Sequence, residues 1–221
     1  MEALTGKILW ESGKLATPET TQIEYAGLPL APRTAYTWQV TATDDAGNTA
    51  SGKARFETGM MDTPWKAKWI AGTMAQTNCL PVQDTSKTFT LEDVPANARL
   101  YISALGLYEA EINGKPVTED CLTPGWTDYY CRVQYQVYDV SSLLQKGENV
   151  LKISLAEGWY AGTISRLWNG HKPTWGEYPM VIAELRGDGQ VFAMTDDSWT
   201  FTDSDTILSD IYAGETVNRR I

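Results

Sequence analysis

Histidine is almost missing from the 221 residues, which hold only His171. That excludes an HExxH helix and any two-histidine metal site, and it leaves one imidazole for acid–base work, with no evident partner for it. Cysteine is scarce too. Cys79, Cys121 and Cys131 are odd in number and lack CxxC spacing, so neither a disulfide framework nor a zinc ribbon is expected. They read as buried or free thiols, with a Cys121–Cys131 bridge across a hairpin as the alternative in an exported protein. Basic charge is in deficit, 18 Lys and Arg against 28 Asp and Glu, for a net charge of −10 spread along the chain. A nucleic-acid partner is excluded on that ground, because phosphate binding needs a basic face. There is no run of about 18 apolar residues, so no membrane partner is expected. Met1-Glu2-Ala3-Leu4 lacks the basic and apolar regions of a signal peptide. Location therefore stays open between the cytoplasm and an exported compartment, and the chain reads as one that starts inside a longer protein.

What the chain does hold is apolar and aromatic: 43% hydrophobic residues, with 9 Trp and 11 Tyr. That supports a sizeable core and one large or two ordinary domains. Period-two alternation recurs almost throughout, and helical periodicity is nearly absent. Tyr36, Trp38, Val40 and Ala42 share one strand face, Asp44 to Asn48 reads as a turn, and Lys53 to Thr58 as the returning strand. Alternation resumes at 98–104, 108–112, 133–140, 149–156, 179–185, 190–195 and 199–202. Ser141 to Leu144 reads as one helical turn, and Asn113-Gly114 as a hairpin turn. The fold class is all-β, a sandwich or jelly roll. Residues 1–59 form a first domain with four expected strands, fewer than the seven or so of an immunoglobulin sandwich. A second domain covers 60–210, and 211–221 reads as a linker toward a further domain.

Aromatic residues crowd the connections between strands from Asp120 to Tyr178. A ring stacks on the apolar face of a sugar while amides and carboxylates bond its hydroxyls, so these loops suit a carbohydrate. The expected platforms are Trp126, Tyr129, Trp159, Tyr160, Trp168 and Trp175, with Asp128, Asn169 and Glu177 as hydroxyl partners. The alternative is structural: Gly158-Trp159-Tyr160-Ala161-Gly162 closes the core, with Trp159 buried. Carboxylates near these loops, Glu109, Glu111, Glu119, Asp120, Asp128, Glu157 and Glu177, also admit a small self-contained glycosidase, although no pair is singled out. Asp196, Asp197, Asp203 and Asp205 lack the spacing of a calcium loop and read as surface turns.

Ala104 to Lys115, Leu122-Thr123-Pro124-Gly125-Trp126-Thr127-Asp128-Tyr129, Arg132 to Tyr135, Tyr138-Asp139-Val140 and Gly158 to Gly162 occur in an order that resembles the N-terminal β-sandwich module of bacterial α-L-rhamnosidases, glycoside hydrolase family 78. Trp10 to Lys14, Leu30 to Val40 and Phe56 to Gly59 resemble the second half of the fibronectin type III-like, immunoglobulin-type domain that precedes that module. Leu30-Ala31-Pro32-Arg33-Thr34-Ala35-Tyr36 is similar to a tyrosine corner. The resemblance implies a jelly-roll, galactose-binding-like sandwich preceded by part of an immunoglobulin-type one. It implies rhamnose-containing glycans and the downstream domains of a parent enzyme as partners. It also implies an inverting (α/α)6 catalytic barrel outside this chain, which alone would be inactive. Modules of this type include calcium-dependent ones, but no ligand set transfers residue by residue. The incomplete first sandwich is expected to be disordered, rearranged or completed by a second copy.

Overall fold

The computed structural model describes residues 1–3, 5–19, 21–72, 80–162 and 175–219. The chain divides into two compact units, Met1–Pro64 and Trp65–Ile221.

The first unit is built on one antiparallel hairpin, β1 (Ala35–Thr43) with β2 (Thr49–Glu57), in register from Ala35↔Glu57 to Thr43↔Thr49. Asp44 staples its turn, accepting the Asn48 backbone N–H at 2.7 Å and the Asn48 side-chain amide at 2.8 Å. Tyr36, Trp38 and Val40 line one face with their partners Phe56, Ala54 and Gly52. The Tyr36 and Phe56 rings stack at 5.4 Å. The Tyr36 hydroxyl accepts the Ala31 N–H at 2.7 Å, the corner that the Leu30 to Tyr36 pattern predicts. Residues 1–3 add to the ribbon, with Glu2 bridged to Tyr36, the Ala3 N–H donating to Ala35 O and the Thr37 N–H to Met1 O, both at 2.8 Å. Among the described residues two strands thus form where four were expected. Gly6, Gly13, Pro18, Gly27, Pro29 and Pro32 break the preceding stretch into pieces too short to pair, and proline offers no N–H to a ladder.

The second unit is a sandwich of two antiparallel sheets. One has the order β10-β9-β4-β7, from β4 (Arg99–Leu105), β7 (Gln136–Asp139), β9 (Met180–Gly187) and β10 (Gln190–Met194). The other has the order β11-β3-β8-β5-β6, from β3 (Gln83–Leu91), β5 (Leu107–Ile112), β6 (Lys115–Pro116), β8 (Gly147–Ala156) and β11 (Thr200–Asp203). A further hairpin, β12 (Thr206–Asp210) with β13 (Gly214–Val217), follows. The single α-helical turn among the described residues is α1 (Gly158–Ala161), and Ser141–Leu143 forms one 3-10 turn.

Alternation in β8 explains the layering. Leu151, Ile153 and Leu155 point into a core shared with Leu100, Ile102, Val181 and Leu185, while Lys152 and Ser154 face outward. Asn113 and Gly114, at φ 54° and 74°, make the tight turn that their sequence predicts between β5 and β6. Asn113 does more than turn the chain. Its carboxamide donates to Asn149 Oδ1 at 2.9 Å and accepts the Val150 N–H at 2.9 Å, adding to the Gln145 and Gly147 bonds that satisfy the buried Asn149 amide.

The two central strands of the four-stranded sheet, β4 and β9, are buried on both sides. Tyr101, Ser103, Ile182 and Glu184 point away from the core yet have almost no exposed surface. Residues 65–70 form a strap: the Lys66 and Ala67 N–H groups meet Glu184 on this outer side, the Lys68 N–H donates to Thr195 O, and Ile70 pairs with Val181 as an added bridge with its side chain in the core. Tyr135 leaves the ladder to pack its ring between Trp65 and Tyr101, at 6.0 and 6.4 Å. That is why β7 starts at Gln136 and not at Val133, as alternation suggests.

Candidate functional site

Three separate segments bring aromatic rings to one face of the second unit. Trp126 and Tyr129 come from the long connection between β6 and β7, Trp159 and Tyr160 from α1, and Trp175 from the approach to β9. Their rings form a continuous chain. Trp159 stacks on Trp126 at 6.3 Å with planes 12° apart, and Trp126 meets Trp175 edge-on at 6.1 Å. Trp175 meets Tyr129 at 5.2 Å, and Tyr129 meets Tyr160 at 5.2 Å. Such edge and offset contacts are the preferred geometry of aromatic pairs. Five of the six expected platforms are thereby brought together. Trp168, Asn169 and His171 lie outside the described residues.

Two close approaches set the cluster. Gly158 turns the chain at φ 52°, and a Cβ there would stand 2.6 Å from Leu107 Cγ, so no larger residue fits this start of α1. Gly176 lies flat on the Tyr160 ring, where a Cβ would fall 2.2 Å from Cε1. Burial raises the hydroxyl pKa values of both Tyr129 and Tyr160, so they remain neutral donors and acceptors.

The cluster is not core. Trp126 is 56% exposed, and the adjacent Tyr130, which the sequence reading did not select, is 79% exposed. Trp159 and Trp175 are half-buried under it. Among the hydroxyl partners, Glu177 is exposed. Asp128 is occupied by its own turn: its carboxylate accepts the Tyr130 N–H at 3.2 Å and the Cys131 thiol at 3.4 Å. That acceptor raises the Cys131 thiol pKa, which leaves a poor nucleophile. Cys121 and Cys131 are both exposed free thiols.

Glu157, at the end of β8, is only 8% exposed. Burial is the main cause that pushes its carboxyl up to about 7, and the nearby Asp210 carboxylate adds to it, against a hydrogen bond from the Leu80 N–H. A raised carboxyl beside a second carboxylate suits glycoside hydrolysis, but a side chain this covered cannot reach a glycosidic oxygen. Glu184, missed in the sequence, is a second buried carboxylate of the opposite type. Burial would raise it, but Arg186 at 2.8 Å and the N–H groups of Lys66 and Ala67 outweigh burial and hold it below the usual carboxylate range. Its trace in the sequence is a lone acid inside Val181-Ile182-Ala183-Glu184-Leu185. Among the described residues, no three His, Cys, Asp or Glu side chains converge as a metal site requires. Asp196 caps a turn at Ser198, and Asp197 pairs with Lys68 on the surface.

Fold and site together define an all-β region, an immunoglobulin-like unit followed by a sandwich with an aromatic face. The chain belongs to the α-L-rhamnosidase N-terminal domain family, whose model matches residues 93–221, and the Rha78A-like N-terminal immunoglobulin domain matches residues 2–62. It thus matches the N-terminal region of family 78 α-L-rhamnosidases, as the motif order implied. An α-L-rhamnosidase of Formosa agariphila is 33% identical over 96% of this chain and 24% of that protein. One from Streptomyces avermitilis is 43% identical over 57% of this chain and 12% of that protein. The chain therefore spans about a quarter, or less, of the length of these relatives. Among solved structures, α-L-rhamnosidase from Dictyoglumus thermophilum matches at a TM-score of 0.80 and 29% identity, over 95% of this chain and 25% of that one. The Streptomyces avermitilis enzyme, solved with L-rhamnose, shares the fold at a TM-score of 0.85 and 21% identity, over 95% of this chain and 37% of that one.

Proposed function

We propose that the second unit is a non-catalytic carbohydrate-binding module of an α-L-rhamnosidase, presenting terminal rhamnose-containing glycans to an inverting catalytic domain outside this chain. The observation that carries this reading is the five-ring chain in which Trp126, second from one end, stands 56% exposed. One face of that indole is braced by Trp159, and an apolar sugar face stacks on such a platform at little ordering cost, because the ring is already fixed. Glu177, exposed and two residues after Trp175, is the proposed hydroxyl acceptor. The 221-residue chain is expected to show no turnover of a p-nitrophenyl α-L-rhamnoside.

The test is calorimetric titration with L-rhamnose, alongside tryptophan fluorescence, with and without calcium. Saturable heat at millimolar sugar is expected, and Trp126→Ala should weaken binding by about tenfold or more, the loss of roughly one aromatic contact. A second reading, a ligand-free spacer that scaffolds the downstream domains, is favoured by the closure of Asp128 onto its own turn. Titration without saturable heat would select it.

A further inference from the structure

We propose that Gln136 is the positioning residue of the Trp126 platform: its carboxamide, oriented by the Tyr108 hydroxyl, holds the Pro124 carbonyl and so fixes where the indole two residues further on stands. The effect on sugar affinity rests on the binding reading above, whereas the hold on the indole does not.

The connection that carries Trp126 links β6, the edge strand of one sheet, to β7, the edge strand of the other. Its first anchor is on β5: the Tyr108 N–H donates to Thr123 O at 2.9 Å, and the Thr123 hydroxyl donates to Tyr108 O at 2.7 Å. Its second is on β7, where Gln136 Nε2 donates to Pro124 O at 3.0 Å. Thr123 and Pro124 are both buried. Beyond them Gly125 has φ 93°, a conformation open to glycine that leaves the course of the chain to whatever grips it on either side. The Tyr129 hydroxyl reaches Gly125 O only at 3.4 Å. Among the described residues, the Gln136 bond is thus the last short one before the exposed indole.

The bonds run in one direction. A proline carbonyl only accepts, so the Gln136 amide nitrogen faces it and Oε1 faces Tyr108. The Tyr108 hydroxyl donates to Oε1 at 3.0 Å and meets the Tyr138 hydroxyl at 3.2 Å, which leaves Tyr138 as the donor of that pair. Burial, and then Tyr138, push the Tyr108 hydroxyl pKa up, so the proton it gives to Gln136 stays in place. Each bond of such a chain polarises the next, and removing a member leaves its neighbours unpaired in a covered place. Because Tyr108 belongs to the core of the sandwich, the chain ties Pro124 O to that core. Trp126 stacks on Trp159 with planes 12° apart, and a backbone held in this way delivers the ring at that angle.

Fluorine NMR of the whole chain labelled with fluorotryptophan reads each indole without any ligand, and Trp126→Phe assigns the signal of interest by its loss. Gln136→Met keeps the length of the side chain and makes neither bond. It should move the Trp126 signal toward that of free fluorotryptophan, while the signals of Trp38 in the first unit and of the buried Trp199 stay where they are. Gln136→Asn, a methylene too short to span Tyr108 and Pro124, should do the same without introducing an apolar group. Tyr108→Phe leaves the Pro124 bond and should shift the signal less. The rhamnose affinity of Gln136→Met is expected to fall about fivefold, the worth of one hydrogen bond. A Trp126 signal unmoved in both Gln136 variants overturns the positioning role, as does a shift shared by Trp199, which would make Gln136 a support of the fold and not of the platform. If the Trp126 signal moves while no sugar binds to the wild type, the binding reading fails and the positioning role stands.

Discussion

Trp38 in β1 and Leu155 in β8 occupy the same kind of position, an apolar residue on the alternating face of an antiparallel strand. Trp38 is 49% exposed and Leu155 is 0% exposed. Around Leu155 a second sheet closes the sandwich and twenty residues share one buried cluster. Around Trp38 there is a two-stranded ribbon, with Val40 and Phe56 similarly open. A ribbon alone is marginal in water. Alternation is therefore necessary for a buried strand and not sufficient, since burial also requires an opposing layer. What the first unit does keep is local: the Tyr36 corner, the Tyr36–Phe56 stack and the Asp44 staple all join residues near each other in sequence or across one hairpin.

The sharpest way to break this contrast is Glu184→Ala. It strands the Arg186 guanidinium and two strap N–H groups in a buried site, and should cost the second unit about 3 to 5 kcal/mol. The first unit should be untouched, which urea unfolding followed by tryptophan fluorescence will read as a shift of one transition only. Next comes pH. The folded state raises the Glu157 carboxyl from 4.5 to about 7, so it binds this proton more tightly than the unfolded chain does. The resulting stability is complete below about pH 4.5 and is lost as pH rises through about 7. Urea midpoints of wild type should fall over that window by an amount on the order of 2 kcal/mol, and those of Glu157→Gln should not. Gly176→Ala drives a methyl into the Tyr160 ring and is expected to cost about 1 to 2 kcal/mol, with a change in aromatic dichroism. The smallest effect belongs to Trp38→Ser. Because the ring is already half open to water, unfolding should move by no more than about 0.5 kcal/mol. Where a second copy completes the first sandwich, the same change is expected to lower the sedimentation coefficient at high protein concentration.

How much was legible in advance follows from which interactions are local. β8, the Asn113-Gly114 turn and the Ser141 3-10 turn follow from alternation and turn chemistry alone. Trp126, Tyr129, Trp159, Tyr160 and Trp175 were singled out as residue types, yet the stack of Trp126 on Trp159 joins two loops that only the sandwich brings together. The first unit shows two strands among its described residues where four were expected, and the glycines and prolines before β1 are the local features that work against the other two. Glu184 was invisible for a different reason. A strand covered on both faces has no alternating pattern, so an acid within it reads as noise and not as the anchor of the strap.

That strap also determines how a pull on the chain is carried. Ile70 is paired with Val181 by two backbone hydrogen bonds, and the Glu184 carboxylate grips the N–H groups of Lys66 and Ala67 just upstream. Tension arriving at Trp65 meets the Glu184 grip first, then the Lys68 and Ile70 bonds, before it reaches the sandwich. Under tension applied at Trp65, the carboxylate contacts of Glu184 would be the first to yield.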